Sequence, residues 1–88
     1  MSRYDDMSEV LKALAHASRL QIVAGLKKDG CNVSEIQRQL GLPQSTISQH
    51  LKTLRQAGVI VGRREGTNVC YTVVHEWARK IIAMVEGE

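Results

Sequence analysis

One helical stretch of this chain presents hydroxyl, amide and cationic side chains on a single face, a combination that can bind nucleic acid. On a helical wheel of about 100° per residue, this face carries Ser45, Ser48, Gln49 and Lys52, with Arg55 and Gln56 beside them. Hydroxyl and amide groups can hydrogen-bond the edges of bases, while lysine and arginine pair with phosphates. The alternative is an ordinary helical hairpin whose polar face is only solvated.

The opposite face of this helix is apolar, which indicates how the helix is held. Ile47, Leu51 and Leu54 follow the i, i+4, i+7 spacing of a buried stripe. We therefore expect this side to pack into a core and the polar side to face outward.

A shorter helix is predicted immediately before it, so that residues 34–55 form two helices joined by a tight turn. Ser34 followed by Gln37 has the form of a capping box, Gly41 follows the last apolar residue of the first helix, and Pro43 suits the start of the next. A helix, a glycine-containing turn and a second helix are the signature of a helix-turn-helix motif.

Two β-rich runs follow this motif and predict a hairpin. Residues 59–61 and 69–74 are rich in valine, and the segment GRREGTN lies between them. Gly66 can take the positive φ that a tight hairpin turn requires. The residues expected near the hairpin tip are Arg63, Arg64 and Asn68.

Three further helices are predicted from apolar spacing: one at 6–15, one that Ser18 caps and that ends near Gly30, and one at 75–85. The first and last are amphipathic, and a core this small would not cover both apolar stripes. We therefore predict dimerisation through these stripes. Their members are Met7, Val10, Leu11 and Leu14 in the first helix and Trp77, Ile81, Met84 and Val85 in the last. The alternative is that both stripes fold back onto their own domain.

These elements predict one mainly α-helical winged helix-turn-helix domain over residues 1–88, with five helices and a β-hairpin wing between the fourth and fifth. A chain of 88 residues that is 43% hydrophobic can build one modest core. Its net charge is +3, and the basic excess lies in residues 34–74. The charges there are Arg38, Lys52, Arg55, Arg63 and Arg64 against Glu35 and Glu65. A polyanionic partner is implied.

Composition argues against several other classes of protein. The chain has no apolar run of about 18 residues and no basic-then-apolar N-terminus, so we expect a cytoplasmic protein without a membrane partner. Its histidines, His16, His50 and His75, lie on different predicted elements, and no catalytic triad or phosphate-binding loop accompanies them. We therefore expect neither an enzyme nor a cofactor. Cys31 and Cys70 lack the CxxC spacing of zinc and redox motifs.

The chain resembles the ArsR/SmtB family of small winged helix-turn-helix repressors in two segments, LKALAHASRLQIV and VSEIQRQLGLPQSTISQHLKTLRQAGVIVGRREGTNVCYTV. The resemblance covers residues 9–74. It implies a homodimer that places two recognition helices in successive major grooves of a palindromic operator and represses transcription, often until an inducer releases it. It also implies base contacts for Ser45, Ser48 and Gln49 and backbone contacts for His50 and Lys52.

The predicted partner is therefore double-stranded DNA. The predicted contacting residues are Gln44, Ser45, Thr46, Ser48, Gln49, His50, Lys52, Arg55, Arg63, Arg64 and Asn68. For His50 the alternative is a boundary histidine that packs and hydrogen-bonds inside the protein. For the whole chain the alternative function is a winged-helix protein-interaction module that binds no specific DNA sequence.

Many members of this family sense metals, but this chain departs from both of their metal-binding patterns. The positions of a Cys-Val-Cys element fall on Asn32 and Ser34, which supply no thiolate. The last helix begins His75-Glu76-Trp77 in place of Asp-x-His. We therefore predict no metal site, and the inducer stays open.

The two cysteines are a further candidate for an inducer site. If the link from Cys31 runs beside the wing, as in similar proteins, Cys31 would approach Cys70 on the second strand as a redox pair. Their Cα separation would then fall within roughly 4.4–6.8 Å. The alternative is that both are small, buried and unreactive side chains.

Overall fold

The computed structural model describes residues 2–87 and contains five helices and one two-stranded hairpin within that range. The elements in chain order are α1 (Arg3–Leu14), α2 (Ala17–Lys28), α3 (Val33–Leu40), α4 (Gln44–Gln56), β1 (Ile60–Glu65), β2 (Asn68–Val73) and α5 (Glu76–Val85). The predicted fold, mainly α-helical with a hairpin between the fourth and fifth helices, is confirmed.

The first helix, α1, begins before its predicted start at residue 6. The Ser2 hydroxyl accepts the Asp5 N–H at 3.2 Å, and the Asp5 carboxylate accepts the Ser2 N–H at 3.3 Å. This reciprocal capping box satisfies backbone donors that the helix end leaves unpaired. Three of the first four residues of α1 are charged, so apolar spacing alone does not locate the start of the helix.

The predicted caps of α2 and α3 are wrong. His16 rather than Ser18 precedes α2, and the His16 Nδ1 accepts the Ser18 N–H at 3.2 Å. α3 begins at Val33 after Asn32, and no side chain caps it. Ser34 consequently lies inside the first turn of α3, where its hydroxyl is directed at the Asn32 side-chain oxygen at 3.5 Å.

The turn between α3 and α4 has the form that the sequence predicts. Gly41 ends α3 with φ +64°, and its N–H donates to the carbonyls of Gln37 and Arg38 at 2.9 and 3.2 Å. Pro43 then precedes α4, and its carbonyl accepts the first hydrogen bonds of that helix. α3, this turn and α4 form the predicted helix-turn-helix motif.

The core gathers apolar side chains from the helices and from the base of the hairpin. Its largest fully buried members are Ile22, Ile47, Leu54, Ile60, Ile82, Val10, Val23 and Val59. Ile47 and Leu54, together with Leu51, form the predicted stripe of α4. Because this stripe is buried, the opposite face of α4 is held toward solvent.

The residues predicted for dimerisation divide into a buried and an exposed set. Val10 and Leu14 of α1 are 2% and 3% exposed because they pack into the core of their own domain, so their assignment to a dimer interface is wrong. Met7 is half-buried, and Ile81 packs against the core. The exposed members are Leu11, Trp77, Met84 and Val85. Tyr4, which apolar spacing does not predict for this surface, is 82% exposed on α1.

β1 and β2 pair in antiparallel fashion and form the wing, residues 60–73. The pairs run from Ile60 opposite Val73 at the base to Glu65 opposite Asn68 at the tip. Gly66 has φ +63° in the turn, as predicted. β1 continues beyond the valine run at 59–61, so the strand itself carries the wing arginines out from the core.

Candidate nucleic-acid interface

The exposed face of α4 carries most of the side chains that the sequence predicts to contact DNA. Those side chains are Gln44, Ser45, Ser48, Gln49, Lys52 and Arg55, while Thr46 is half-buried. The buried stripe behind them fixes their direction. A face of hydroxyls, amides and cations without a large apolar side chain can hydrogen-bond base edges and pair with phosphates.

Three cations at this surface have no carboxylate partner in the part of the chain that the structure describes: Lys52, Arg55 and Arg64. Their charges are therefore available to an external anion. Arg38 on α3 differs, because it forms a bidentate pair with Glu35. This hydrogen-bonded guanidinium lowers the pKa of Glu35.

The wing adds polar side chains near its tip. Arg63 Nε and Nη2 lie 2.8 and 2.6 Å from Glu65 Oε1. The two side chains are 74% and 51% exposed, and ion pairs this open to water stabilise a protein little. A phosphate can therefore replace the carboxylate at Arg63. Asn68 lies directly opposite Glu65 on β2.

A groove of about 310 Å³ between α3, α4 and the wing brings these elements together. Its polar lining includes Ser34 and Gln37 of α3, Gln44 and Ser48 of α4, and Thr67 and Asn68 of the wing. Ser34, Gln37 and Thr67 are not among the residues that the sequence predicts to contact DNA. The available signal was the spacing of Ser34 and Gln37, which lie three residues apart and share a face of α3.

His50 lies on the buried side of α4, away from this face. It is 9% exposed, its ring packs edge-on against His16 at a centroid distance of 4.7 Å, and its Nδ1 lies 3.4 Å from Arg19 Nη1. Burial lowers the pKa of His50, and the neighbouring His16 and Arg19 lower it further. The structure contradicts a DNA contact for His50 and agrees with the packing alternative.

Cys31 and Cys70 form a disulfide, although they are 39 positions apart in the chain. Their Cα atoms are 4.0 Å apart, slightly closer than the predicted range. Cys70 is buried on β2, whereas Cys31 is exposed ahead of α3. The alternative of two buried thiols is therefore wrong for Cys31.

Metal-ligand clusters and membrane-spanning helices are absent from residues 2–87. In that range no three His, Cys, Asp or Glu side chains are grouped so that they could hold a metal ion. Over the same residues, no helix has both the length and the apolar character needed to cross a membrane.

Comparison with known proteins agrees with this geometry. A family profile described as a helix-turn-helix domain matches residues 14–63. The chain is 37% identical over 87 residues to the uncharacterized HTH-type transcriptional regulator MJ1325 of Methanocaldococcus jannaschii, and the match covers 98% of each chain.

Solved structures resemble the chain over nearly its whole length. The crystal structure of the transcriptional repressor PagR of Bacillus anthracis has a TM-score of 0.81 at 38% identity, over 93% of this chain and 94% of PagR. The homodimeric winged helix-turn-helix domain of Mb0332 from Mycobacterium bovis, described as a possible ArsR-family regulator, has a TM-score of 0.80 at 33% identity, over 96% and 78%. The chain therefore belongs to the ArsR/SmtB family of winged helix-turn-helix repressors, which are DNA-binding transcriptional regulators and not enzymes.

Proposed function

We propose that two copies of this repressor bind one palindromic operator, with α4 of each copy in the major groove. The observation that carries the proposal is the exposed polar face of α4. Its Lys52 and Arg55, like Arg64 on the wing, have no carboxylate partner among the residues that the structure describes. A helix backed by a core stripe is a rigid element, and rigid elements position base-reading side chains well. A regulator of this kind works in the cytoplasm, where it meets DNA.

Within each half-site, the side chains of α4 divide by chemistry. Ser45, Ser48 and Gln49 are short or amide-bearing and hydrogen-bond base edges directly or through water. Lys52 and Arg55 pair with phosphates, which fixes the position of the helix but carries no sequence information. Gln44 lines the groove between α3, α4 and the wing, and Thr46 follows it in the first turn of α4, where its hydroxyl is a further candidate for a backbone contact.

The wing makes the second contact of each copy. Arg63 and Arg64 stand on β1 near the tip and can pair with phosphates or enter the neighbouring minor groove. Asn68 lies across from the end of β1 and adds hydrogen-bonding groups. Together these contacts hold the repressor, while α4 selects the sequence.

The two copies associate through the exposed apolar side chains of α1 and α5. Those side chains are Tyr4, Leu11, Trp77, Met84 and Val85. A chain of 88 residues that leaves so many large apolar groups on its terminal helices is typical of a subunit that buries them against a copy of itself. The homodimeric state named for the Mb0332 domain supports the association of two copies.

Selection of bound duplexes from a random DNA pool by the purified protein tests the proposal. We expect an enriched sequence with two inverted half-sites about 10 base pairs apart, as two-fold symmetry requires. Sedimentation of the protein with the selected duplex should give two chains per duplex. Enrichment of a single unrepeated half-site, or a complex of one chain per duplex, would contradict the proposal.

A further inference from the structure

We propose that the Cys31–Cys70 disulfide is a thiol switch: it fixes the wing beside α4 and raises DNA affinity, and its reduction releases the wing and lowers affinity. The inference rests on the proposed function, because it assigns the wing a contact with DNA. It concerns regulation of that same surface by the thiol–disulfide balance of the surroundings.

The disulfide is attached to the wing directly opposite the first of its two arginines. Six residue pairs form the hairpin, and Cys70 lies opposite Arg63 in the fourth pair from the base. Arg64 is in the next pair, opposite Val69. The bond therefore holds the wing well beyond its base, at the point where its cations begin.

Contacts other than the disulfide hold the wing over its first three residue pairs. Ile60 and Val73 of the first pair are buried in the core. In the third pair, the Tyr71 N–H donates to the Gly30 carbonyl at 2.8 Å. Residues 61–68 are all exposed, so the outer part of the reduced wing has little packing to restrain it.

Gly30 allows the two cysteines to meet. A Cβ at this position would lie 1.6 Å from the Tyr71 carbonyl oxygen, so only glycine lets the link after α2 pass this close to β2. The Gly30–Tyr71 hydrogen bond joins backbone atoms and involves no sulfur, so we expect it to keep Cys31 near Cys70 after reduction. The thiols are thus prearranged to react with each other.

The bond is also accessible to reagents. Cys31 is exposed and lines the groove between α3, α4 and the wing. The chain contains no other cysteine, so thiol chemistry can act only at this pair. In a cytoplasmic protein a disulfide is more often a reversible switch than a permanent scaffold.

A low-molecular-weight disulfide, RSSR, is the oxidant. The Cys31 thiolate attacks one sulfur of RSSR, the S–S bond of RSSR breaks, and one RS⁻ leaves. The Cys70 thiolate then attacks the Cys31 sulfur of this mixed disulfide and releases the second RS⁻. Two electrons pass from the cysteines to RSSR, the two thiol protons end on the two RSH molecules, and excess RSH reverses both steps.

The direction of the effect follows from preorganisation. A wing already fixed beside α4 loses less conformational freedom on binding DNA than a wing that moves about its base, so the oxidised form binds more tightly, by about three- to tenfold. By linkage, DNA must stabilise the disulfide by the same factor. A tenfold effect corresponds to a shift of about 30 mV in the reduction potential of the pair.

The test compares operator affinity for four samples: wild type and Cys31→Ser, each with and without a thiol reductant. Cys31→Ser removes an exposed sulfur and leaves the buried Cys70 in place. We expect oxidised wild type to bind three- to tenfold more tightly than the other three samples, which should agree with one another. Equal affinities, or tighter binding by reduced wild type, would overturn the inference.

Hydrogen exchange in the absence of DNA gives a second measurement. Amides of residues 63–69 should exchange faster in reduced wild type and in Cys31→Ser than in the oxidised protein, while those of α2 should not change. Equal exchange in the wing would overturn the inference whatever the affinities. If every sample is folded and none binds duplex DNA, the proposed function fails. If all samples bind DNA with the same affinity in both redox states, only the redox inference fails.

Discussion

Lys52 and Gln49 lie one turn apart on the exposed face of α4, and their chemistry predicts two different effects on binding. Lys52→Ala removes a phosphate contact, so it should weaken binding to every duplex and reduce the slope of log K against log salt by about 1. Gln49→Ala should instead cost about 1–3 kcal/mol on the selected operator and relax discrimination at one base position. Titration of matched and substituted operators at several salt concentrations separates the two.

Lys28→Ala is the matched control for this pair of variants. Lys28 is as exposed as a phosphate-binding lysine would be, at 75%, but it lies at the end of α2 near Glu86. Its removal should leave the salt slope unchanged. If Lys28→Ala reduced the salt slope as much as Lys52→Ala, the overall charge of the protein, and not the α4 face, would govern binding.

His50 should make stability depend on pH. Its pKa lies below the usual value near 6.5, so the unfolded chain binds more protons than the folded one in mildly acidic solution. The free energy of unfolding should therefore fall as the pH drops below about 6.5. Urea unfolding between pH 8 and pH 5 should show this slope, and His50→Gln should flatten it. An unchanged slope in His50→Gln would place the effect elsewhere.

Periodicity predicted the exposed side chains of α4 correctly because a helical wheel separates residues that lie on opposite faces. It did not decide His50, which falls between the two faces. The partners that bury this ring, His16 and Arg19, come from the α1–α2 turn and the start of α2, more than 30 positions away. A contact at that separation depends on tertiary packing, so the spacing of neighbouring residues does not predict it.

At the scale of elements, the wing can pack against the link after α2 because Gly30, which has no side chain, lies at the contact. Gly30→Ala would force a Cβ into the Tyr71 carbonyl and break the hydrogen bond between the two residues. We expect a loss of about 1–3 kcal/mol in unfolding free energy, as for other overpacked sites. Urea unfolding under reducing conditions measures this loss without the disulfide. A variant as stable as wild type would show that the close approach is not required.

The sequence identified each element but not all of their ends. Apolar spacing defines the middle of a helix, whereas its start depends on which polar side chain accepts a hydrogen bond from a backbone N–H of the first turn. Ser2 and His16 do so here, and Ser18 and Ser34 do not. β1 was predicted too short for a similar reason: exposed arginines have no β signature of their own, and their strand geometry comes from pairing with β2.

At the scale of the whole molecule, the apolar groups left on α1 and α5 should determine the oligomeric state. Met84 is 72% exposed near the end of α5, so Met84→Glu can add a charge to the proposed dimer interface without entering the core. We expect this variant to sediment as a monomer and to lose most of its operator affinity, because each half-site then binds alone.

Val61→Glu is the control for oligomeric state. Val61 is an exposed apolar residue, at 50%, but it lies on the wing rather than on a terminal helix. The variant should remain a dimer by sedimentation. If both variants dissociate, or if neither does, the terminal helices do not form the interface in the way proposed.

The sequence predicted that the terminal helices have apolar stripes, but not how much of each stripe the domain covers itself. Val10 and Leu14 turned out to be core residues, since α1 packs against its own α2 and α4. A wheel gives the direction of a side chain relative to the helix axis only. Which direction meets the core is decided by how the other helices assemble around it.

Trp77 gives this molecule an intrinsic optical reporter. It is the only tryptophan of the chain, and 56% of it is exposed on α5, with the Lys80 ammonium 5.3 Å from the ring centroid. Indole emission shifts to shorter wavelength when water leaves its surroundings, so association of two copies over α5 should blue-shift the fluorescence. The emission spectrum of a dilution series would then follow the monomer–dimer equilibrium. Because the fluorophore is part of the chain, no dye that could disturb the contact has to be attached.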